Sequence, residues 1–365
     1  MERAGPYPRP VSGRRRRWPW VVALCAGLLI GLWNLPPVHT RITAAAAVAR
    51  GIGLPVPGII GTSATARWTS LGPGLPGELL APPWPAPGIV LVPGAAPAGA
   101  RDPRLLRVGS ALARTGRVVF VPQMELRHRV FRHSDIDRLV QSVLTMGRLP
   151  IVQGPVGLVG ISTGGSFALI AAADQRIASR VAFVAVFGAY LDLRHVIQGI
   201  TTHATLPHGR LERWTPDPRA RGILVHEAEE LLPRAERAAL SKALDGHERT
   251  SHLPPGALAT FRVLRNRDPH RALPLIDRLP AQILARLREF SPLYYLSRLK
   301  ASVAVMQSTK DPTVPPSEAT LLSKRLHAPL YVLRHFTHVT PGSVITGLPD
   351  LWGATEFTTW ILRHD

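Results

Sequence analysis

The sequence predicts an α/β fold with a mostly parallel, doubly wound sheet, and three observations support this. From Gly88 onward, short apolar runs that end at glycine, proline or polar residues alternate with segments of helical spacing. The runs are apolar throughout, whereas a strand with one solvated face would alternate apolar and polar residues. A long region between residues 195 and 296 interrupts the alternation, which resumes at Ser302. We therefore expect a sheet covered by helices on both faces, with an inserted helical cap.

The elements follow one another in a regular order on either side of this insertion. The predicted strands are Ile89–Val92, Arg117–Pro122, Val156–Ile161, Val181–Phe187, Ser302–Gln307 and Leu330–Phe336. The predicted helices are Leu105–Arg114, Ile136–Met146, Phe167–Ala173, Ser317–Leu326 and Leu351–Leu362, with Ala228–Leu244 and Leu279–Phe290 in the cap. Residues 88–194 and 297–365 would thus form the two parts of the core, and residues 195–296 the cap.

Residues 38–87 precede this regular region and are rich in proline, glycine and alanine. This composition predicts a linker and an entry to the domain, with room for one helix. Weak alternation around Trp68–Leu80 allows one or two edge strands.

Composition narrows the possible functions. The chain has 365 residues and 45% hydrophobic content, enough for a sizeable core. Its formal net charge of +20 comes almost entirely from arginine. Beyond the N-terminus the arginines are scattered and are not grouped with aromatic residues, so we expect a basic solvated surface and no nucleic-acid partner. Cys25 is the only cysteine, which excludes an intramolecular disulfide and a cysteine-based zinc site.

The N-terminus carries the pattern of a membrane segment. Residues 1–17 end in the basic block Arg14–Arg17, and residues 18–37 form a charge-free apolar run that ends at Pro36 and Pro37. The positive-inside rule then predicts a single-pass helix with a cytoplasmic N-terminus and an extracytoplasmic domain. Because the run is short for a span of about 20 residues, a cleaved signal peptide followed by secretion is the alternative.

The strongest chemical signal is the segment Gly160-Ile161-Ser162-Thr163-Gly164, between a predicted strand and a predicted helix. A serine on such a sharp turn is raised above the sheet, and glycine two residues before and after it avoids collisions with the turn. The pattern predicts Ser162 as a nucleophile. The alternative is a glycine-rich turn that only permits close packing. The glycine spacing fits neither a phosphate-binding loop nor a dinucleotide fingerprint, and we expect no cofactor and no metal.

A nucleophilic serine needs a base and an orienting carboxylate, which on such a sheet follow it along the chain. Asp311 comes after the strand Ser302–Gln307, and His338 comes after the last strand. Both would lie at carboxyl ends of strands, where sites in open α/β sheets form. Asp192 is the alternative acid, and His335 is the local alternative to His338.

An oxyanion formed by attack of Ser162 would need two N–H donors. One is the amide of Thr163, directly after the nucleophile. The other is expected from the loop after Ile89–Val92, where the amide of Ala95 is the first candidate and that of Gly94 the second.

These motifs resemble those of the α/β-hydrolase superfamily, in particular its bacterial carboxylesterase-like and dienelactone-hydrolase-like members. The matching segments are Leu91-Val92-Pro93-Gly94-Ala95, Gly160 to Gly165, Lys310 to Pro315 and Thr337-His338-Val339. The resemblance implies an α/β-hydrolase fold with Ser162 as nucleophile, Asp311 as acid and His338 as base. Pro93-Gly94 stands where many members have His-Gly, and serine stands where dienelactone hydrolases have cysteine.

The sequence thus predicts a serine esterase or lipase-like hydrolase that acts on a small-molecule ester or lipid-like substrate. Acyl transfer or peptide cleavage on the same triad is the second hypothesis, because the triad alone does not determine what attacks the acyl-enzyme. A catalytically inactive hydrolase fold that serves as a membrane-tethered binding module is the third.

Overall fold

The computed structural model describes residues 35–341 and 348–364. Its strands are β1 Thr65–Ser70, β2 Pro76–Ala81, β3 Ala86–Val92, β4 Val118–Pro122, β5 Val152–Ile161, β6 Val181–Phe187, β7 Ala204–Thr205, β8 Glu212–Arg213, β9 Ser302–Ser308, β10 Leu330–Leu333, β11 Phe336–Thr337 and β12 Thr340–Pro341. Its α-helices are α1 Pro36–Gly51, α2 Pro103–Ala113, α3 His133–Met146, α4 Thr163–Ala172, α5 Leu193–Thr202, α6 Ala220–Glu230, α7 Arg234–Leu244, α8 Pro255–Arg265, α9 Pro269–Ile276, α10 Ala281–Glu289, α11 Pro316–Leu326 and α12 Leu348–Ile361.

Eight of the strands form one twisted sheet in the order β1-β2-β4-β3-β5-β6-β9-β10. The pairs β1–β2 and β2–β4 are antiparallel, and the other five pairs are parallel. The central strands are buried on both faces, which explains why their sequences are apolar throughout.

Helices cover both faces of the sheet, as a doubly wound fold requires. On one face α3, α4 and α11 bury side chains such as Leu139, Phe167 and Leu322 against the strands. On the other face α1, α2 and α12 do so, with Val48, Leu112 and Phe357. The predicted mostly parallel sheet covered on both sides is therefore what the structure has.

Residues 38–87 contain the helix and the edge strands for which the sequence leaves room, as most of α1 and as β1 and β2, together with the first residues of β3. The sequence otherwise predicts a linker, whereas the structure places α1 in the core. Helix α1 buries Ala44, Ala46 and Ala47 between α12 and α2. Because alanine side chains are small, they let neighbouring helices approach closely, and a run of them gives no apolar period that would announce a core helix.

The last predicted strand, Leu330–Phe336, is divided in the structure. Strand β10 ends at Leu333, and the next two backbone amides, those of Arg334 and His335, donate hydrogen bonds of 2.8 and 2.6 Å to the Asp350 carboxylate of α12. A side chain has replaced the neighbouring strand as the acceptor, so the ladder stops there.

The cap comprises helices α5 to α10 and the β7–β8 hairpin, and it has a hydrophobic core of its own that includes Leu240, Ala257, Leu264 and Ile276. Its first helix begins at Leu193, two residues before the predicted boundary. Helices α8 and α9 begin at Pro255 and Pro269. Proline is favoured at the first helical position because the amide that it lacks would have no helical partner there.

The predicted membrane segment, residues 18–37, falls mainly on the undescribed part of the chain. Residues 18–34 lie outside the described residues, and Pro36 and Pro37 form the first turn of α1. Within the described ranges, no helix has both the length and the apolar character needed to cross a bilayer.

Candidate active site

Ser162 lies on the sharp turn between β5 and α4, with φ of 56° and ψ of −134°. Its amide donates a 2.7 Å hydrogen bond to the carbonyl of Phe187, at the end of β6. A Cβ atom on Gly160 would stand 2.4 Å from the Cα of Gly165, and one on Gly164 would stand 2.2 Å from the carbonyl oxygen of Pro93. Both glycines are therefore required by the turn and by the loop packed on it, as the sequence pattern predicts.

The loop after β3 lies directly over the nucleophile. A Cβ atom on Gly94 would stand 3.1 Å from the Cβ and 3.7 Å from the Oγ of Ser162. Both Ala95 and Thr163 line the same cavity as Ser162, and neither amide donates a hydrogen bond to another group of the described chain. The two predicted oxyanion donors thus flank the serine with their N–H groups unpaired, which is the condition that an oxyanion site needs.

Asp311 and His338 are joined by a hydrogen bond, with 2.7 Å between Oδ2 and Nδ1. The Asp311 carboxylate is buried and accepts three further bonds, from Gln307 Nε2 at 2.9 Å and from the amides of Thr313 and Val314 at 2.8 and 2.9 Å. All of its contacts are donors, which suits a carboxylate that only accepts. When Nδ1–H of His338 donates to Asp311, its Nε2 is left as a proton acceptor.

The imidazole of His338 lies beside the turn that holds Ser162. A Cβ atom on Gly188 would stand 3.0 Å from Cε1 and 3.3 Å from Nδ1 of His338. Gly188 follows Phe187, whose carbonyl accepts the Ser162 amide. Among the described residues no hydrogen bond joins the Ser162 hydroxyl to His338, although both line one cavity. Such bonds are often long in a free enzyme and shorten when substrate binds.

The two alternative residues from the sequence have other partners. Asp192 is fully buried at the N-cap of α5, where its carboxylate accepts from the amide of Arg194 at 3.0 Å and pairs with the guanidinium at 2.8 Å. His335 stands 3.5 Å from Asp350 through Nδ1. The structure therefore brings Ser162, Asp311 and His338 to one place and gives Asp192 a structural contact.

Three residues of the site were not predicted from the sequence. Trp214 of the cap donates a 2.6 Å hydrogen bond from Nε1 to the carbonyl of Asp311. Gln307 holds the Asp311 carboxylate, and Gly188 makes room for His338. A polar residue at the end of an apolar strand is a weak signal for Gln307. Nothing in the spacing relates Trp214 to a residue 97 positions away.

Ser162 opens into a cavity of about 770 Å³, a size typical of small-molecule sites. Its lining falls into two groups, one on the core and one on the cap. The sheet arm lies between the sheet and α1, α2 and α12, and its helical wall includes Val48, Gly51, Val108, Leu112, Phe357 and Ile361. The cap arm lies under the cap, and its wall includes Val196, Ile200, Ile223, Leu224, Leu287 and Phe290.

Charged side chains line two parts of this cavity. Arg129, Asp217, Arg219, Glu227 and Arg286 line it from the cap and from the loop that faces the cap, and Asp102, Arg104 and Arg107 line it at the start of α2. Burial raises the pKa of Glu227 above its ordinary value. Within the part of the chain that the structure describes, no group of three potential ligands could hold a metal ion.

No protein-family profile and no curated protein matches this chain. Solved structures similar to it include a dienelactone hydrolase from Anabaena variabilis, at 17% identity over 82% of this chain and 98% of that one, with a TM-score of 0.44. Another is the α/β-hydrolase GrgF from a Penicillium species, at 15% identity over 83% and 99%, with a TM-score of 0.46. A third is a 2-hydroxy-6-oxo-6-phenylhexa-2,4-dienoate hydrolase from a Rhodococcus species, at 17% identity over 82% and 99%, with a TM-score of 0.43.

Likenesses this distant carry no argument about substrate or mechanism, and the fold assignment rests on this chain. Its sheet is mostly parallel and wound on both faces, and a cap is inserted after β6. Its strand β5 runs through a strained serine into α4 under the loop that follows β3. By these features the chain has the α/β-hydrolase fold.

Proposed function

We propose that this protein is a serine hydrolase that cleaves carboxylic esters through an acyl-enzyme. One observation carries the proposal. The strained Ser162, the hydrogen-bonded pair Asp311–His338 and the unpaired amides of Thr163 and Ala95 line or adjoin a single cavity of about 770 Å³. A glycine-rich packing turn alone would need neither the aspartate–histidine pair nor the unpaired amides.

The proposed reaction starts with attack by Ser162. Its Oγ bonds to the ester carbonyl carbon while His338 Nε2 takes the hydroxyl proton. The oxyanion is stabilised by the amides of Thr163 and Ala95, with Gly94 as the second candidate for the loop donor. The carbon–oxygen bond then breaks, and the alcohol leaves with the proton from His338. Water, activated by His338, attacks the acyl-enzyme, releases the acid and restores Ser162.

Asp311 serves this cycle by holding one tautomer of His338. Its carboxylate accepts the Nδ1 proton, which keeps Nε2 available to Ser162, and stabilises the imidazolium that forms. Gln307 and the amides of Thr313 and Val314 fix the carboxylate, so it needs no reorganisation during the reaction.

The test is Ser162→Ala with p-nitrophenyl butyrate as substrate. We expect kcat to fall by about 10³-fold or more, because the nucleophile is lost while the fold is kept. Ser241→Ala, on cap helix α7, is the matched control and should keep full activity. A fluorophosphonate probe should label the unaltered protein on Ser162 and leave Ser162→Ala unlabelled. Undiminished hydrolysis by Ser162→Ala would contradict the assignment, and absence of both hydrolysis and labelling would favour a binding module.

The same assay separates hydrolysis from acyl transfer and peptide cleavage. With butyrate ester, competing alcohols and short peptides present together, we expect butyric acid as the main product. An ester of the competing alcohol as the main product would indicate a transferase, and cut peptide would indicate a peptidase.

We also propose that residues 18–37 keep the protein at a membrane, with the hydrolase domain on the extracytoplasmic side. The support is the sequence alone, namely the block Arg14–Arg17 before a charge-free run. After cell fractionation, we expect the full-length chain in carbonate-washed membranes. Recovery of a shortened chain in the medium would instead indicate a cleaved signal peptide.

A further inference from the structure

The sheet arm of the cavity is an apolar space continuous with the nucleophile. Val159 and Ile161, on the strand that carries Ser162, line it from the sheet, and Met306 and Leu333 line it from β9 and β10. Helices α1, α2 and α12 bury side chains against this face of the sheet, but the packing leaves a gap. Part of the space between the helices and the strands belongs to the cavity that holds Ser162.

The helix α1 keeps this space free. It lines the arm with Ala47, Val48, Gly51 and Ile52. A Cβ atom on Gly51 would meet one atom within 4 Å, Cγ2 of Val108 on the neighbouring helix α2, at the ordinary contact distance of 3.7 Å. A larger side chain at Ala47 or Gly51 would therefore extend into the arm.

The arm is also elongated, and most of the side chains that line it are apolar. The residues that line it extend from Leu105 to Leu112 on α2 and from Ala354 to Ile361 on α12, eight residues each, which corresponds to about 10 Å of helix. Asp102, Arg104 and Arg107 line the arm at the start of α2, and the rest of its helical lining is apolar except for Thr358 of α12. The cap arm, in contrast, carries Arg219, Glu227 and Arg286.

These observations assign the two arms to the two halves of an ester. We infer that the sheet arm binds a linear acyl chain of eight or more carbons, roughly the length that about 10 Å of helix can line, while the alcohol portion faces the cap arm. Hydrocarbon gains most from leaving water for an apolar space, and a polar alcohol portion is better placed beside charged side chains. This inference rests on the proposed ester hydrolysis and names its substrate class.

The experiment measures kcat/KM of the full-length protein on p-nitrophenyl acetate, butyrate, octanoate and laurate. Each buried methylene contributes up to about fourfold, so we expect the unaltered protein to prefer octanoate over acetate at least tenfold. Gly51→Leu on α1 and Val108→Phe on α2, both in the helical wall of the sheet arm, should each lower the octanoate-to-acetate ratio at least tenfold. The ratio is used because acetate is too short to enter the arm.

Two controls make the result specific. Gly222→Leu, on cap helix α6 where an added Cβ meets no atom within 4 Å, should leave the ratio unchanged. Ile223→Trp, in the cap arm, should alter rates on acetate esters of long alcohols and leave the acyl-length ratio in place. Circular dichroism checks that the variants fold, and two independent sheet-arm variants allow one to fail.

Three outcomes would overturn the inference. The chain-length profile could be unchanged in both sheet-arm variants, or Ile223→Trp could abolish the acyl preference, or alcohol length could matter where acyl length does not. In each case short esters are still cleaved and Ser162 is still labelled by fluorophosphonate. Loss of labelling in the unaltered protein would instead contradict the proposed function itself.

Discussion

The loops after β6 and β9 are similar in sequence pattern, but their carboxylates have different hydrogen-bond partners. Each follows an apolar strand and carries a buried aspartate, Asp192 in one and Asp311 in the other. Asp192 caps α5 and is neutralised by Arg194, whereas Asp311 accepts from His338. Position at a strand end therefore makes a carboxylate available to the site, and its nearest donor decides its role.

The two loops are also linked. Glu318, buried on α11 just after the Asp311 loop, accepts hydrogen bonds from the amides of Leu191 and Asp192 at 2.9 and 2.8 Å. Its other oxygen contacts His195 Nδ1 at 2.9 Å. The loop that starts the cap is therefore held by the helix that follows the loop of the proposed catalytic acid.

The largest expected effect comes from Asp311→Asn. We expect kcat on p-nitrophenyl butyrate to fall by about 10³- to 10⁴-fold, because an amide does not hold the His338 tautomer that leaves Nε2 free to accept the Ser162 proton. The measurement is steady-state kinetics, with urea unfolding to check that the fold is kept. A kcat within tenfold of the unaltered protein would remove Asp311 from the mechanism.

Asp192→Asn sharpens the comparison because it makes the same chemical change in the other loop. We expect the free energy of unfolding to fall by about 2 kcal/mol, since the half-buried Arg194 loses its closer carboxylate partner and the α5 cap is weakened. We expect kcat to stay within about threefold, because the aspartate does not contact His338 in this structure. Activity loss comparable to that of Asp311→Asn, in a folded protein, would transfer the acid role to Asp192.

The smallest expected effect is on the pH dependence of the free energy of unfolding, through His195, which contacts Glu318. Burial by itself lowers the pKa of His195, and the positive charge of Arg194 lowers it further. The hydrogen bond and negative charge of Glu318, together with the charge of Asp192, outweigh both effects, so the pKa of His195 lies above its ordinary value. A raised folded-state pKa stabilises the fold below the unfolded-state value of about 6.5. That stabilisation is lost as the pH rises through the folded-state pKa.

We therefore expect the unaltered protein to lose some unfolding free energy above about pH 6.5 relative to His195→Gln. Urea unfolding of both proteins from pH 5 to pH 9 measures the difference between them. A constant difference across this range would show that His195 does not titrate differently in the folded protein.

Much of the α/β core could be predicted from the sequence because its signals are local. Strands buried on both faces are apolar throughout, and the turn at Ser162 requires glycine at Gly160 and Gly164 whatever lies elsewhere. The order of serine, aspartate and histidine along the chain follows from the same strand succession. The predicted bounds of β6, Val181–Phe187, agree with the structure to the residue.

Other features depended on contacts that no local pattern carries. The alanine-rich helix α1 has the composition of a linker, and only its packing against α12 and α2 shows that it belongs to the core. Strand β10 ends because the next two backbone amides donate hydrogen bonds to Asp350 of a later helix. The choice between Asp192 and Asp311 depended on which donor lies beside each one. Trp214 reaches Asp311 only through the folding of the cap onto the core.

By itself, the sequence determined the alternation of strands and helices, the sharp turn at Ser162 and the three residue types that follow one another at strand ends, because each depends on neighbours along the chain. The tertiary structure alone decided which aspartate pairs with His338 and gave the cavity its sheet arm. Both depend on residues far apart in the chain that are brought within a few ångströms by packing, and such distances are not encoded in any local period.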